Sequence, residues 1–192
     1  MTMKKETYSA KASEILDVAE AHMRKGGFDA VSFRDLAAAV GVKSASVHYY
    51  FPQKADLGKA VVARYKERVV AALGDPFDNR TPIAKLKQLF VVYSTALRDG
   101  DSVCLCCMLG AEARYLPADV AAEVRLFFES MTNWTRDALA TDLPKTKATA
   151  TATHIISALQ GAMVLSVALG DENHLKNSQK MLMRFVKNEL KS

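Results

Sequence analysis

The sequence predicts an all-α protein of nine helices arranged in two blocks. Three observations carry that reading. Apolar residues recur at spacings of three and four in one segment after another, the period of an amphipathic helix. No stretch alternates apolar and polar residues as a half-buried strand does. Clusters of Gly, Pro, Asp and Asn separate the periodic segments, most densely over Gly74-Asp75-Pro76 and Asp78-Asn79-Arg80. The chain has neither a repeat of 20–50 residues nor a low-complexity tract.

Each element has its own signals. Ser9 to Lys25 carries Ala12, Ile15, Leu16, Ala19 and Met23 on one face, and Gly26-Gly27 ends it. Phe28 is expected to plug the core after it. Ser32 caps a second helix bearing Phe33, Leu36, Ala37 and Val40, and Gly41 closes it where a left-handed residue is needed. Ser44 is expected to cap a third helix, Ala45 to about Phe51, with Pro52 at its end. Gln53-Lys54-Ala55-Asp56 opens a fourth that runs to about Leu73. Thr81-Pro82 is an N-cap followed by Pro at the first helical position, and that fifth helix stops at Asp99-Gly100-Asp101. A short apolar segment, VCLCCMLGAEARYL, precedes Pro117. Long helices then run to about Ala140, from Lys145 to Leu169, and from Glu172 to Leu190.

With 192 residues the chain has ample sequence for a buried core. The net charge is +5, and residues 1–70 hold twelve Lys and Arg against eight Asp and Glu, so most of the excess sits there. That points weakly to a phosphate-bearing partner for the N-terminal third. Three cysteines within four positions cannot build a disulfide framework. Met1 to Tyr8 reads as a basic arm without the apolar core of a signal peptide. The run Ile155–Leu169 is too short for a membrane span, so a cytoplasmic protein without membrane contact is expected.

Val31 to Leu57 is the most informative stretch. Two short helices joined by a Gly-centred turn form a helix-turn-helix, whose second helix would lie in a major groove. Val47 and Phe51 read as core. His48, Tyr49 and Tyr50 are successive large residues that a helix spreads by about 100° each, so at least one must face solvent. Exposed hydroxyls and ring N–H groups suit a phosphate surface.

VGVKSASVHYYFPQKADL resembles the helix-turn-helix of TetR-family transcriptional repressors, over the residues up to about Val62. The resemblance implies that Ser32, Arg34, Lys43, Ser44, Ser46, His48, Tyr49, Tyr50 and Lys54 touch double-stranded operator DNA. Arg34 and Lys43 would read base edges, where such donors suit guanine. Tyr49, Tyr50 and Lys54 would meet phosphates. The family usually has Tyr where His48 stands and often His where Tyr50 stands, which leaves the operator sequence open. The implied organisation is a helix-turn-helix DNA-binding domain over 1–56, a connector helix over 53–73, and a ligand-binding and dimerisation domain over 74–192. No cofactor or metal is expected.

The second informative stretch is CLCCMLGAEARYL. By helical spacing Cys104, Cys107 and Met108 share a face and Cys106 points elsewhere. One reading is plain core, since Cys is among the most buried residue types. The other is a reactive thiol, because Cys104 stands at or near a helix N-terminus, which lowers a thiol pKa. The segment also resembles the sixth helix of a TetR subgroup with the pattern CL-x-x-x-L-x-A-E, where Cys104 matches a common cysteine. That subgroup includes repressors responding to reactive electrophiles or small unsaturated acids. Soft-metal binding has poor spacing here.

The resemblance further implies a homodimer through the last two helices and a small-molecule or electrophile inducer held inside the second block. Bundle interiors are common ligand sites. Candidate sensing and lining residues are Cys104, Cys107, Met108, Glu112, Phe127, Met131, Trp134, His154 and Gln160, with Tyr93 and Tyr115 nearby. His22 and His174 have no role. The expected function is a ligand- or electrophile-responsive repressor binding a palindromic operator as a dimer, not an enzyme. The alternatives are a small helical enzyme with a cysteine nucleophile, for which His154 would have to act as base, and a helical adaptor.

Overall fold

A computed structural model describes residues 8–100 and 102–191; most of the expected basic arm, residues 1–7, lies outside them. Among the described residues every regular element is helical. The helices are α1 (Ala10–Gly26), α2 (Phe33–Val40), α3 (Ser44–Tyr50), α4 (Lys54–Leu73), α5 (Pro82–Gly100), α6 (Leu105–Ala111), α7 (Ala118–Leu139), α8 (Lys145–Leu169) and α9 (Asn173–Glu189). A 3-10 turn, Phe28–Ala30, links α1 to the unit formed by α2 and α3.

The helix ends follow local chemistry. Ser32 Oγ accepts from the Asp35 amide at 3.1 Å and so satisfies one of the free donors of the first turn of α2. Gly41 ends that helix at φ 70°, ψ 38°, the left-handed region a side chain resists. Gln53 and Asp56 form a reciprocal capping box at the start of α4. Thr81 Oγ1 accepts from the Ala84 amide at 3.3 Å to start α5. One expected cap is corrected. Ser44 is the first residue of α3, and Lys43 holds the N-cap position without a side-chain hydrogen bond. The chain turns one residue earlier because the Lys43 carbonyl already accepts from the Ser46 amide at 2.9 Å.

Ile15, Leu16 and Ala19 of α1, Leu36 of α2, Val47 of α3 and Leu57 and Val61 of α4 are all fully buried in one core. α4 continues out of this core to pack along α7. Lys66 of α4 and Glu123 of α7 form an ion pair at 2.8 Å, shielded on both sides. The far end of α4 is held by Trp134, whose Nε1 donates to the Gly74 carbonyl at 2.7 Å. Lys85 is fully buried. Its Nζ donates to the Pro76 carbonyl at 2.7 Å and lies 3.8 Å from Asp78, so its charge is partnered.

α8 packs between α7 and α9. The full helix begins at Lys145, so it is long and apolar enough to cross a membrane by length and composition, contrary to the length argument made on Ile155–Leu169 alone. Ala148, Ala152, Ile155, Leu159 and Met163 are nonetheless buried within the protein, while Val164, Leu165, Val167 and Leu169 remain exposed.

Candidate nucleic-acid interface and thiol site

α3 is held from behind and open in front. Val47 is fully buried and Phe51 nearly so, which seats the helix on α1 and α2. Arg34 stands 91% exposed, with only a 3.7 Å approach to Asp35. Tyr49 is 81% exposed, its ring edge-on to that of Tyr50 at 5.1 Å. Lys43, Ser44 and His48 are exposed, while Ser46 and Tyr50 are half-buried. The His48 ring packs edge-on against Phe33 at 4.6 Å. These side chains share the face formed by the start of α2, the turn and α3.

Two members of the predicted set are already engaged. Ser32 is used by its cap and also donates to Asp35 Oδ2 at 2.6 Å. Lys54 lies 4.7 Å over the Phe28 ring and 3.4 Å from Asp29. It pins the 3-10 turn to α4 through a cation–π contact and an ion pair.

The thiols sit where α6 meets the N-terminal core. Cys104 is the N-cap of α6 and is buried together with Cys106, while Cys107 is half-buried. The Tyr65 hydroxyl of α4 donates to Cys104 Sγ at 3.3 Å. Burial alone would push the Cys104 thiol up. Hydrogen bonds from Cys106, from Tyr65 and from the Cys107 and Cys106 amides overcome it and lower the thiol to about 6. Burial and the Cys104 charge raise Cys107 to about 11, and burial and the Cys104 partner also push Cys106 well up. One activated thiol is thus flanked by two that stay protonated. The expectation that Cys106 points elsewhere is corrected. Cys104 sits outside the helix proper in extended backbone, so helical spacing counted from it fails.

Both ends of α6 are tied to α1. Ahead of it, Arg24 donates to the carbonyls of Ala96 at 2.7 Å, Val103 at 3.3 Å and Ser102 at 3.4 Å. Behind it, Glu112 Oε2 accepts from the Phe28 amide at 3.1 Å. Gly27, at φ 77°, ψ −172°, leaves room for that carboxylate, for a Cβ there would stand 2.1 Å from Glu112 Oε1.

A model of the tetR family of bacterial regulatory proteins matches residues 15–61. A second, the C-terminal domain of LmrA/YxaF-like transcriptional regulators, matches residues 82–181, more than half of the chain. The chain belongs to the TetR family. Its fold is shared with a TetR transcriptional regulator from Legionella pneumophila, at 30% identity and TM-score 0.87, over 94% of this chain and 99% of that one. A TetR-family regulator from Agrobacterium tumefaciens matches at 27% identity and TM-score 0.84, over 91% and 96%. The reduced form of NemR from E. coli shares the fold alone, at 16% identity and TM-score 0.76, over 91% and 95%. No curated protein matches the sequence. As a TetR-family member the chain is a DNA-binding transcription regulator and not an enzyme.

In this TetR-family chain the predicted sensing residues do not gather in one pocket. Cys107 and Gln160 do line one cavity of about 370 Å³, together with Gly110, Phe128, Thr132 and Ser157. Gln160 Nε2 donates to the Tyr93 hydroxyl at 3.0 Å, and its Oε1 is buried without a partner among the described residues. Phe127 and Met131 are core, and Met108 is half-buried. Glu112 is the tie to Phe28, and Trp134 the tie to Gly74. His154 is exposed, edge-on to Phe185 at 5.3 Å, and is no partner of the thiols. Tyr115 is 89% exposed. Tyr65, Arg24 and Gly27 are the residues that sequence reasoning missed. Tyr65 lies 39 positions from Cys104, and no local pattern marks a partner so far along the chain.

Proposed function

We infer that this TetR-family regulator is a dimeric repressor that binds a palindromic operator and leaves it when the second block is modified or occupied. One observation carries the reading: α4 starts just after α3 and bonds through Tyr65 to the activated Cys104. A change at the sulfur therefore acts directly on the helix that positions the recognition unit. Residues 1–56 act as the DNA-binding domain, 53–73 as connector, and 74–192 as the ligand-binding and dimerisation domain. Coupling requires two arrangements of α4, each favoured by one ligand.

Arg34 and Lys43 read base edges, Tyr49 and Tyr50 meet phosphates, and Ser44, Ser46 and His48 complete the face. Ser32 and Lys54 act mainly by fixing the unit. The half-sites are spaced by a homodimer whose interface is the apolar face of α8 and α9, where Leu165, Leu169 and Met181 are 51%, 61% and 62% exposed. The cavity at Cys107 takes a neutral inducer with a hydrogen-bond donor, because Gln160 Oε1 lacks a partner among the described residues and the cavity lining there holds no charged side chain. The regulator works in the cytoplasm, where its DNA lies.

The test is a gel shift on the DNA flanking its own gene, with and without N-ethylmaleimide. Wild type should bind and be released by the reagent, and Cys104→Ser should bind and stay bound. Failure to bind would sink the operator reading. Equal release of both proteins would sink the role of Cys104.

A further inference from the structure

Two hollows flank the cysteine segment, and they offer different things. The cavity at Cys107 borders a thiol held protonated. On the other side a cleft of about 440 Å³ lies between α1, α4 and α5. Val69, Val91, Val92 and Ala96 give it an apolar lining, and Glu20, Arg24, Arg68 and Asp99 a charged one. A smaller hollow of about 250 Å³ shares Glu20, Arg24, Arg68 and Asp99 and reaches Ser102.

The polar wall has unmet hydrogen-bonding capacity. Glu20 is 7% exposed; its Oε1 accepts from Arg68 at 2.5 Å and its Oε2 lies 3.8 Å from Arg64, yet Oε2, like Ser102 Oγ in the smaller hollow, has no hydrogen-bond partner among the described residues. Buried polar atoms without partners are costly unless something supplies them. Arg24 points its Nε and one Nη at backbone carbonyls, and among the described residues no carboxylate pairs with it. Tyr65 joins this cleft to the thiol, since it lines the cleft and its hydroxyl sits on Cys104 Sγ.

We propose that the α1–α4–α5 cleft is a small-molecule site from which small uncharged electrophiles reach Cys104, passing Tyr65 rather than the cavity at Cys107. The apolar wall takes a short carbon skeleton. Glu20 Oε2 accepts an N–H or O–H, and the Arg24 guanidinium donates to a carbonyl. Charges of both signs on the same wall favour a neutral head group over an ion. Iodoacetamide has this chemistry. Cys104 Sγ attacks its methylene carbon, the C–S bond forms as the C–I bond breaks, and iodide leaves with the electron pair. The proposal rests on Cys104 being the reactive thiol.

The experiment follows iodoacetamide adducts on each cysteine of the full-length protein by mass spectrometry near neutral pH. Val91→Trp and Thr95→Trp crowd the cleft from exposed positions on α5, and Ser157→Trp crowds the other cavity from an exposed position on α8. Cys104 should react about tenfold more slowly in both cleft variants and at the wild-type rate in Ser157→Trp. Circular dichroism shows that each variant is folded, and an unchanged Cys107 adduct rate is a second check on the two cleft variants. Wild-type rates at Cys104 in the folded cleft variants, or slowing by Ser157→Trp, overturn the route while leaving the reactive thiol intact. A wild-type Cys104 that takes no adduct until denatured overturns both.

Discussion

Tyr65 and Cys104 meet across 3.3 Å, a phenol of the connector helix donating to the sulfur of the residue at the N-cap position of α6. The bond lies inside the core, with Tyr65 3% and Cys104 4% exposed. Tyr65 belongs to α4, and the segment around α6 is tied to α1 by Arg24 and to the 3-10 turn by Glu112, so both neighbours of the sulfur connect to the N-terminal helices.

The pH dependence of Cys104 follows from its hydrogen bonds. The thiolate is the nucleophile, so adduct formation should rise with pH and reach half its plateau near pH 6. Tyr65→Phe keeps the ring against Phe127 but removes a donor that favours the charged sulfur. Its midpoint should move upward. A profile of alkylation rate against pH checks this, and an unchanged midpoint would remove Tyr65 from the account.

Gly27→Ala should destabilise the fold by about 3 kcal/mol, since its backbone region is essentially restricted to glycine and the new methyl meets the Glu112 carboxylate. Urea unfolding measures the loss. Glu112→Gln keeps the shape and an acceptor, so its cost should be smaller, about 1 kcal/mol. Equal losses would mean that the charge, and not the fit, holds this junction.

On DNA, Arg34→Ala and Tyr49→Ala should differ in kind. Arg34→Ala should cost about 1–3 kcal/mol on operator and flatten the preference at its base pair. Tyr49→Ala should weaken operator and random DNA alike. Anisotropy titrations on both duplexes distinguish the two patterns, and a uniform loss for Arg34→Ala would move that residue to the phosphates.

Leu165→Glu places a charge on an exposed apolar position of α8. In a monomer it is harmless, because the side chain is already in water. In a dimer it desolvates a charge at the interface, so sedimentation should show dissociation and operator binding should fall with it. Unaltered sedimentation would place the interface elsewhere.

Local chemistry made the helices legible. Ser32, Gly41, Gln53 and Thr81 act on neighbours within a few residues, and sequence spacing displays such pairs directly. The face of α3 was legible for the same reason, with Val47 inward and at least one of His48, Tyr49 and Tyr50 outward. The thiol site was not. The bond between Tyr65 and Cys104 spans 39 positions, and that between Phe28 and Glu112 spans 84. Nothing in the periodicity of either partner signals such pairs, and Glu112 and Trp134 therefore read as pocket residues. Lys85 shows the opposite failure. A lysine normally signals a solvated face, but two oxygens after the Gly74-Asp75-Pro76 break turn this one inward.

The chain has a single tryptophan, and its indole N–H is bonded to the Gly74 carbonyl at the end of α4. Its fluorescence therefore comes from one known place, the point where the connector hands over to the second block. A shift of α4 that breaks the bond lets water reach the indole and moves the emission to the red. The protein thus carries its own optical gauge of the motion proposed for release from DNA, and stopped-flow mixing with an electrophile can time that motion without any added label.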